Sequence, residues 1–320
     1  MKEKMLPFSF SRGEISAQRV ISNHRNLSIR DLSISMRKSE SSVSQIVKRL
    51  ETKGIVESER KGMKKIVNTS DRNYAITLSE MIKNEPNIPW EKILSYSNLA
   101  VLISNITGED AFEDELSSIS KWRAIRNHKM YVAYYNSQKR HPIGNRNLSS
   151  FLKEYSEHVS LKHIIENIPE DAIMIWRKGF SCLFKIKSNS INGRKKLPDS
   201  SIPTAITASP HYGIQYITGD SYYFYEPRLD RLSLEDVILH TLLIDPDSQT
   251  YNTYAVLLAL KNRNKINFDL LLTKSRKYDL MEKTTNLIEY LKSNGKMRKW
   301  PLPKPDELQE QGDLYGVKIN

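Results

Sequence analysis

The chain has 320 residues, 39% hydrophobic and 27% charged, with a mean hydropathy of −0.53, which is the composition of a folded soluble protein of two or three domains. The richest apolar run, VILHTLLI at 237–244, is too short to span a bilayer. The opening MKEKMLPFSFSRGE lacks the continuous apolar stretch of a secretory signal, and the single Cys182 excludes an internal disulfide or a cysteine-rich zinc site, so a reduced, cytoplasmic protein is expected.

The net charge of +12 is unevenly spread. Residues 25–65 hold 11 Lys/Arg against 5 Asp/Glu, and residues 121–146 hold 7 Lys/Arg and no acid. These two windows carry the whole positive excess. Such clustering suits a polyanionic partner, although a basic stretch taken alone also fits a solvated face.

In chain order, residues 14–23 predict a short helix after the breaker Gly13, with Ile15, Val20 and Ile21 on one side. Ser28 caps a second helix over 29–35, with Ile29 and Leu32 inward, and Met36-Arg37-Lys38 makes a turn. Ser39 then caps a third helix that ends at Gly54, where a left-handed residue is wanted. Val43, Ile46, Val47 and Leu50 follow the i, i+3, i+4, i+7 spacing of a buried stripe. The opposite face carries Ser41, Ser44, Gln45 and Lys48, short or polar side chains that let a helix axis approach base edges. Gln45 can offer paired hydrogen bonds to adenine, and Lys48 can reach guanine or a phosphate. After Gly54, residues 55–59 and 64–67 predict a strand pair around Arg60-Lys61-Gly62-Met63, a glycine turn flanked by cations that suits phosphate contact.

The segment IRDLSISMRKSESSVSQIVKRLETKGIVESERKGMKKIV resembles the winged helix-turn-helix of the multiple-antibiotic-resistance (MarR) and related bacterial and archaeal regulators, over about residues 14–70. The resemblance implies a DNA-reading helix followed by a wing, and the alternative is a winged helix used only for protein contacts. Candidate DNA contacts in this part are Ser39, Ser41, Ser44, Gln45, Lys48 and Arg49 on the helix, and Arg60, Lys61, Lys64 and Lys65 on the wing.

Pro86 and Pro89 end the helix that begins near Arg72, so a boundary is placed at 85. Helical patterns at 90–106, 112–119 and 121–129, a strand at 130–135 and a loop at 136–144 repeat the first order of elements in weaker form. This predicts a second winged-helix-like unit, with Lys121, Arg123 and Arg126 on its helix and Lys139 and Arg140 on its wing. Trp122, Tyr131, Tyr134 and Tyr135 interleave with those cations, as stacking on nucleic acid would require and as ordinary core aromatics also would. A linking helix follows at 147–159.

Beyond it lie β-like runs at 173–176, 180–186 and 222–225, with a polar loop at 187–201. Ser233 then caps a helix with Val237, Ile238, Thr241 and Leu242 inward and Glu235 and Asp236 at its positive end. Helices are predicted near 251–261, 268–276 and 281–293. Pro301, Pro303 and Pro305 are expected to end regular structure, leaving a surface tail. AITASPHYGIQYITGDSYYFYEP followed by LSLEDVILHTLLID loosely resembles the effector half of abortive-infection-type antitoxins, over about 205–293. In that family a winged helix precedes a domain of nucleotidyltransferase-like fold. The active form of that fold needs a Gly-Ser turn with paired aspartates, and the nearest match is Gly219-Asp220-Ser221. P-loop, G-x-G-x-x-G, H-E-x-x-H and G-x-S-x-G motifs are also missing. His158 and His163 would not share a helical face, His240 reads as a structural histidine, and Glu226, Asp230, Glu235 and Asp236 fit capping and surface roles.

The expectation is an α+β protein with no cofactor, no metal and no enzymatic activity. Its domains are a winged helix-turn-helix at 1–85, a second winged-helix-like basic domain with its linking helix at 86–159, and at 160–320 a mixed α/β effector or oligomerisation domain ending in a helical bundle. The expected function is sequence-specific binding of double-stranded DNA as a transcriptional regulator. A homodimer is expected, with a protein partner for the C-terminal domain. The alternative is an antitoxin that neutralises a partner and autoregulates its operon.

Overall fold

A computed structural model describes residues 8–107, 116–131, 145–187, 201–216, 218–227 and 229–317. The chain divides into two compact units, Met1–His163 and Ile164–Asn320.

The first unit begins with α1 (Arg12–Asn23), β1 (Leu27–Ser28), α2 (Ile29–Met36), α3 (Glu40–Thr52), β2 (Val56–Lys61) and β3 (Lys64–Thr69). Its helix starts are written in local chemistry. Ser11 and Glu14 form a capping box on α1, Ser28 and Asp31 form one on α2, and the Ser39 hydroxyl accepts the Ser42 N–H on α3. The Ser28 bonds hold the Asp31 carboxyl below its ordinary range. Gly13 lies inside the first turn of α1 and is not the breaker expected; a Cβ there would stand 3.1 Å from Ile46 Cδ1, so the glycine lets α1 approach α3. Ile15, Ala17, Ile21, Leu32, Val43, Ile46, Val47 and Leu50 form the buried seam between these helices. The strands form one antiparallel sheet, β1-β3-β2, in which Arg60 pairs with Lys65 and Lys61 with Lys64 across the Gly62-Met63 turn. This is a winged helix-turn-helix.

The unit continues with α4 (Asn73–Asn84), α5 (Trp90–Ile93), α6 (Tyr96–Thr107), α7 (Ser118–Tyr131) and most of α8 (Arg146–Asn167), whose residues from Ile164 onward fall in the second unit. One helix was expected over 90–106; two form, separated at Leu94 and Ser95. Met130 and Tyr131, expected to open a strand, are the last turn of α7. The rest of that strand and the wing carrying Lys139 and Arg140 lie outside the described residues. Phe10, Phe151, Tyr155 and Tyr74 pack into an aromatic cluster, and the Tyr155 hydroxyl donates to the Phe8 carbonyl at 2.7 Å.

The second unit is a four-stranded antiparallel sheet, order β4-β5-β7-β6, with helices on it. The strands are β4 (Ile173–Lys178), β5 (Ser181–Lys187), β6 (Ser201–Pro203) and β7 (Asp220–Tyr225). Their alternation sends Leu183 and Phe224 into the main core and Cys182, Phe184, Ile186, Tyr223 and Tyr225 into a second one with Ile164. A short turn of helix, α9 (Ala205–Ala208), precedes β7, and α10 (Leu234–Ile244), α11 (Gln249–Lys261), α12 (Phe268–Ser275) and α13 (Met281–Lys292) follow it. From Leu234 to Leu243 every residue of α10 is buried, so the stripe expected on it understates its central position. Pro305, expected to end regular structure, starts α14 (Pro305–Leu314), where its fixed φ and missing N–H cost nothing. Among the described residues no helix is long and apolar enough to cross a membrane.

Candidate nucleic-acid interface

The α3 surface divides cleanly. Val43, Ile46, Val47 and Leu50 are buried, while Ser41, Ser44, Gln45 and Lys48 are exposed. None of these four exposed side chains makes a hydrogen bond or ion pair among the described residues, so their donors and acceptors face water. Ser39 is exposed too, but its hydroxyl is engaged as the cap. Arg49 turns toward α1, its Nε 3.7 Å from the buried Glu14 carboxylate.

What holds α3 in place is a feature that sequence reading did not find. Lys53, the residue that ends α3, is buried and bonds Glu14 Oε1 at 2.5 Å across 39 residues of chain. Burial lowers the Lys53 ammonium below its ordinary value, against the attraction of Glu14. Glu14 also accepts the Ser11 N–H at 2.7 Å, so one carboxylate ties the start of α1 to the end of α3. Behind this end of the helix lies a cavity of about 360 Å³, bounded by Phe8, Phe10, Thr52, Lys53, Tyr155 and Lys162. Gly54 follows at φ +67°, and a Cβ there would stand 2.5 Å from Arg72 Nη1 and collide with the Tyr74 hydroxyl. Glycine takes that backbone without strain, and any side chain there would also have to displace the ends of Arg72 and Tyr74.

The wing presents Arg60, Lys61 and Lys64 exposed and Lys65 partly buried. Lys65 bonds Glu51 at 3.0 Å, which anchors the hairpin to α3, and Lys61 pairs with Glu59 at 2.7 Å. Arg60 has no ion pair among the described residues. Met63 at the turn is wholly exposed, and Gly62 takes φ +63° to close the two-residue loop.

On α7, Arg123 and Arg126 are exposed and Lys121 is half-buried. The Arg126 guanidinium lies 5.6 Å over the ring of Trp122, which is 59% exposed and therefore not a core aromatic. Tyr131 is half-buried beneath Lys92, and Tyr134 and Tyr135 lie outside the described residues. No group of three or more His, Cys, Asp or Glu among the described residues is arranged to hold a metal ion.

Two family models match the chain. The MarR family model matches residues 10–62, from the cap of α1 to the wing turn, and the model of the HVO_2833_C C-terminal domain matches residues 202–317. Comparison with curated proteins and with solved structures gives no match.

Proposed function

We propose that the protein is a sequence-specific regulator of transcription that binds double-stranded DNA. In this reading α3 enters the major groove with Ser41, Ser44, Gln45 and Lys48 toward the base edges, while Arg60, Lys61, Lys64 and Lys65 hold the backbone alongside. The MarR match over 10–62 supports it, since that family consists of winged-helix DNA-binding regulators. The carrying observation is the α3 face itself, four exposed polar side chains without a partner among the described residues, set on a helix fixed from behind. A solvated helix face more often carries Glu–Lys pairs.

Residues 1–85 serve as the reading domain. The 86–159 stretch adds phosphate contacts through Lys121, Arg123 and Arg126, and through Lys139 and Arg140 beyond the described residues. The 160–320 domain serves as effector or oligomerisation module. Two copies act together, because one short helix specifies few base pairs and two-fold pairing doubles the site. Genomic footprinting tests this. Protected sites should be inverted repeats with half-sites about 10–11 base pairs apart or a multiple of that. Single unpaired half-sites would overturn the dimer, and protection without any shared sequence would overturn the regulator. In the antitoxin alternative, the C-terminal domain would instead capture a protein encoded beside this gene.

A further inference from the structure

The C-terminal unit contains an open cleft of about 640 Å³, assembled from β7, the segment after it, the start of α10 and the end of α12. Its apolar lining is Phe224, Leu229, Leu232 and Tyr278. Its charges are three cations, Arg231, Lys274 and Lys277, and two carboxylates, Glu226 and Asp236. Lys274 bonds Asp236 at 2.5 Å and the Ser233 hydroxyl at 2.9 Å. Lys277 bonds Glu226 at 2.7 Å and rides 5.4 Å over the Phe224 ring. Arg231 is exposed at the cleft and has no partner among the described residues.

The floor is rigid. The Tyr278 hydroxyl and His240 Nε2 are 2.8 Å apart, His240 Nδ1 is 2.7 Å from Thr204 Oγ1, and the imidazole stacks on Phe224. A buried, hydrogen-bonded tie of this kind fixes the wall and contributes no charge, so among the described lining residues one positive charge is unmatched. Preformed concave sites with an apolar wall and a few converging polar groups are where small ligands bind.

We propose that this cleft binds a mononucleotide. Each part of such a ligand has a counterpart here: the phosphate at Arg231 and Lys277, the sugar hydroxyls as donors to the Glu226 carboxylate, and the base against Leu229 and Leu232. A guanidinium whose donors meet no partner among the described residues matches a phosphate, and carboxylates beside it match hydroxyls that a bare inorganic anion lacks. The volume lies within the range of ligand sites and accommodates a body of this size. Every residue used falls inside the 202–317 match, and the proposal is independent of DNA binding.

The test is titration of the full chain into 1,N6-etheno-adenosine monophosphate, a probe whose label sits on the base and leaves both ribose hydroxyls free, followed by fluorescence anisotropy. The expected result is saturable binding of one probe per chain, weakened at least tenfold by Arg231→Ala and by Lys277→Met. Arg231 is exposed, so its removal leaves the core intact. Unlabelled mononucleotides should compete, while adenosine and inorganic phosphate should require far higher concentrations. The proposal is overturned by absence of saturation, by binding that both variants leave unchanged, or by equal competition from phosphate. Loss of the probe in Gln45→Ala/Lys48→Ala, with both cleft variants normal, would place it on the DNA face and also overturn the proposal. Retention in that variant supports it.

Discussion

Replacing Glu14 with alanine is the sharpest perturbation of the N-terminal unit. The Glu14 and Lys53 side chains are 2% and 7% exposed, so removing the carboxylate strands a buried ammonium whose nearest charge would then be the like-signed Arg49. Breaking one partner of a buried pair costs about 3–5 kcal/mol. Loss of the Ser11 capping box adds up to about 1 kcal/mol, part of it shared. Lys53→Met should cost less, because Glu14 keeps the Ser11 N–H and Arg49 as partners. The double variant, which strands no charge, should be more stable than Glu14→Ala alone. Urea unfolding of all four proteins, followed by far-UV circular dichroism, measures these differences. A cost below about 1 kcal/mol for Glu14→Ala, or a double variant less stable than that single one, would refute the assignment of the pair as the tie behind α3.

Gly54→Ala should lower stability by about 1–3 kcal/mol, because the left-handed backbone strains a non-glycine residue and the Arg72 and Tyr74 side-chain ends would have to move; an unchanged unfolding midpoint would contradict this. Burial pushes His240 down to about 3 and His128 down to about 4, from an ordinary 6.5. The unfolded chain therefore binds more protons below pH 6.5, and stability should fall as pH drops from there toward those values. His240→Gln should remove about one proton from the slope of unfolding free energy against pH, and an unaltered slope would count against the assignment. Arg60→Ala should weaken binding to all duplexes alike and reduce the slope of log affinity against log salt by about 1, whereas a change confined to one sequence would mean that Arg60 reads bases.

The winged helix was legible because its signals are local. Ser28, Ser39 and Gly54 mark ends, and the apolar spacing of Val43, Ile46, Val47 and Leu50 marks the buried face. Contacts distant in sequence gave no such signal. The Glu14–Lys53 tie joins residues 39 apart, and β1 is two residues long, too short for any period to appear. On α7 the buried residues are Ala124 and His128, which form no apolar stripe, so its end was misplaced. Pro305 was read as a stop because proline disfavours helix interiors, yet at a first turn it starts one. The cleft is invisible in sequence for the same reason as the tie, since Phe224, Asp236 and Lys277 meet only through the packing of β7, α10 and the turn that follows α12.

In the proposed function the α3 face reads duplex DNA. Fluorescence anisotropy of the full chain on its footprinted sites, at fixed salt, measures this directly against the Gln45→Ala/Lys48→Ala variant and a scrambled duplex. The double substitution should bring affinity for the genomic site down to that for the scrambled one, a loss of about 2–4 kcal/mol, with folding unchanged. Undiminished preference for the genomic site in that variant, or no binding to any duplex at low salt, would contradict it.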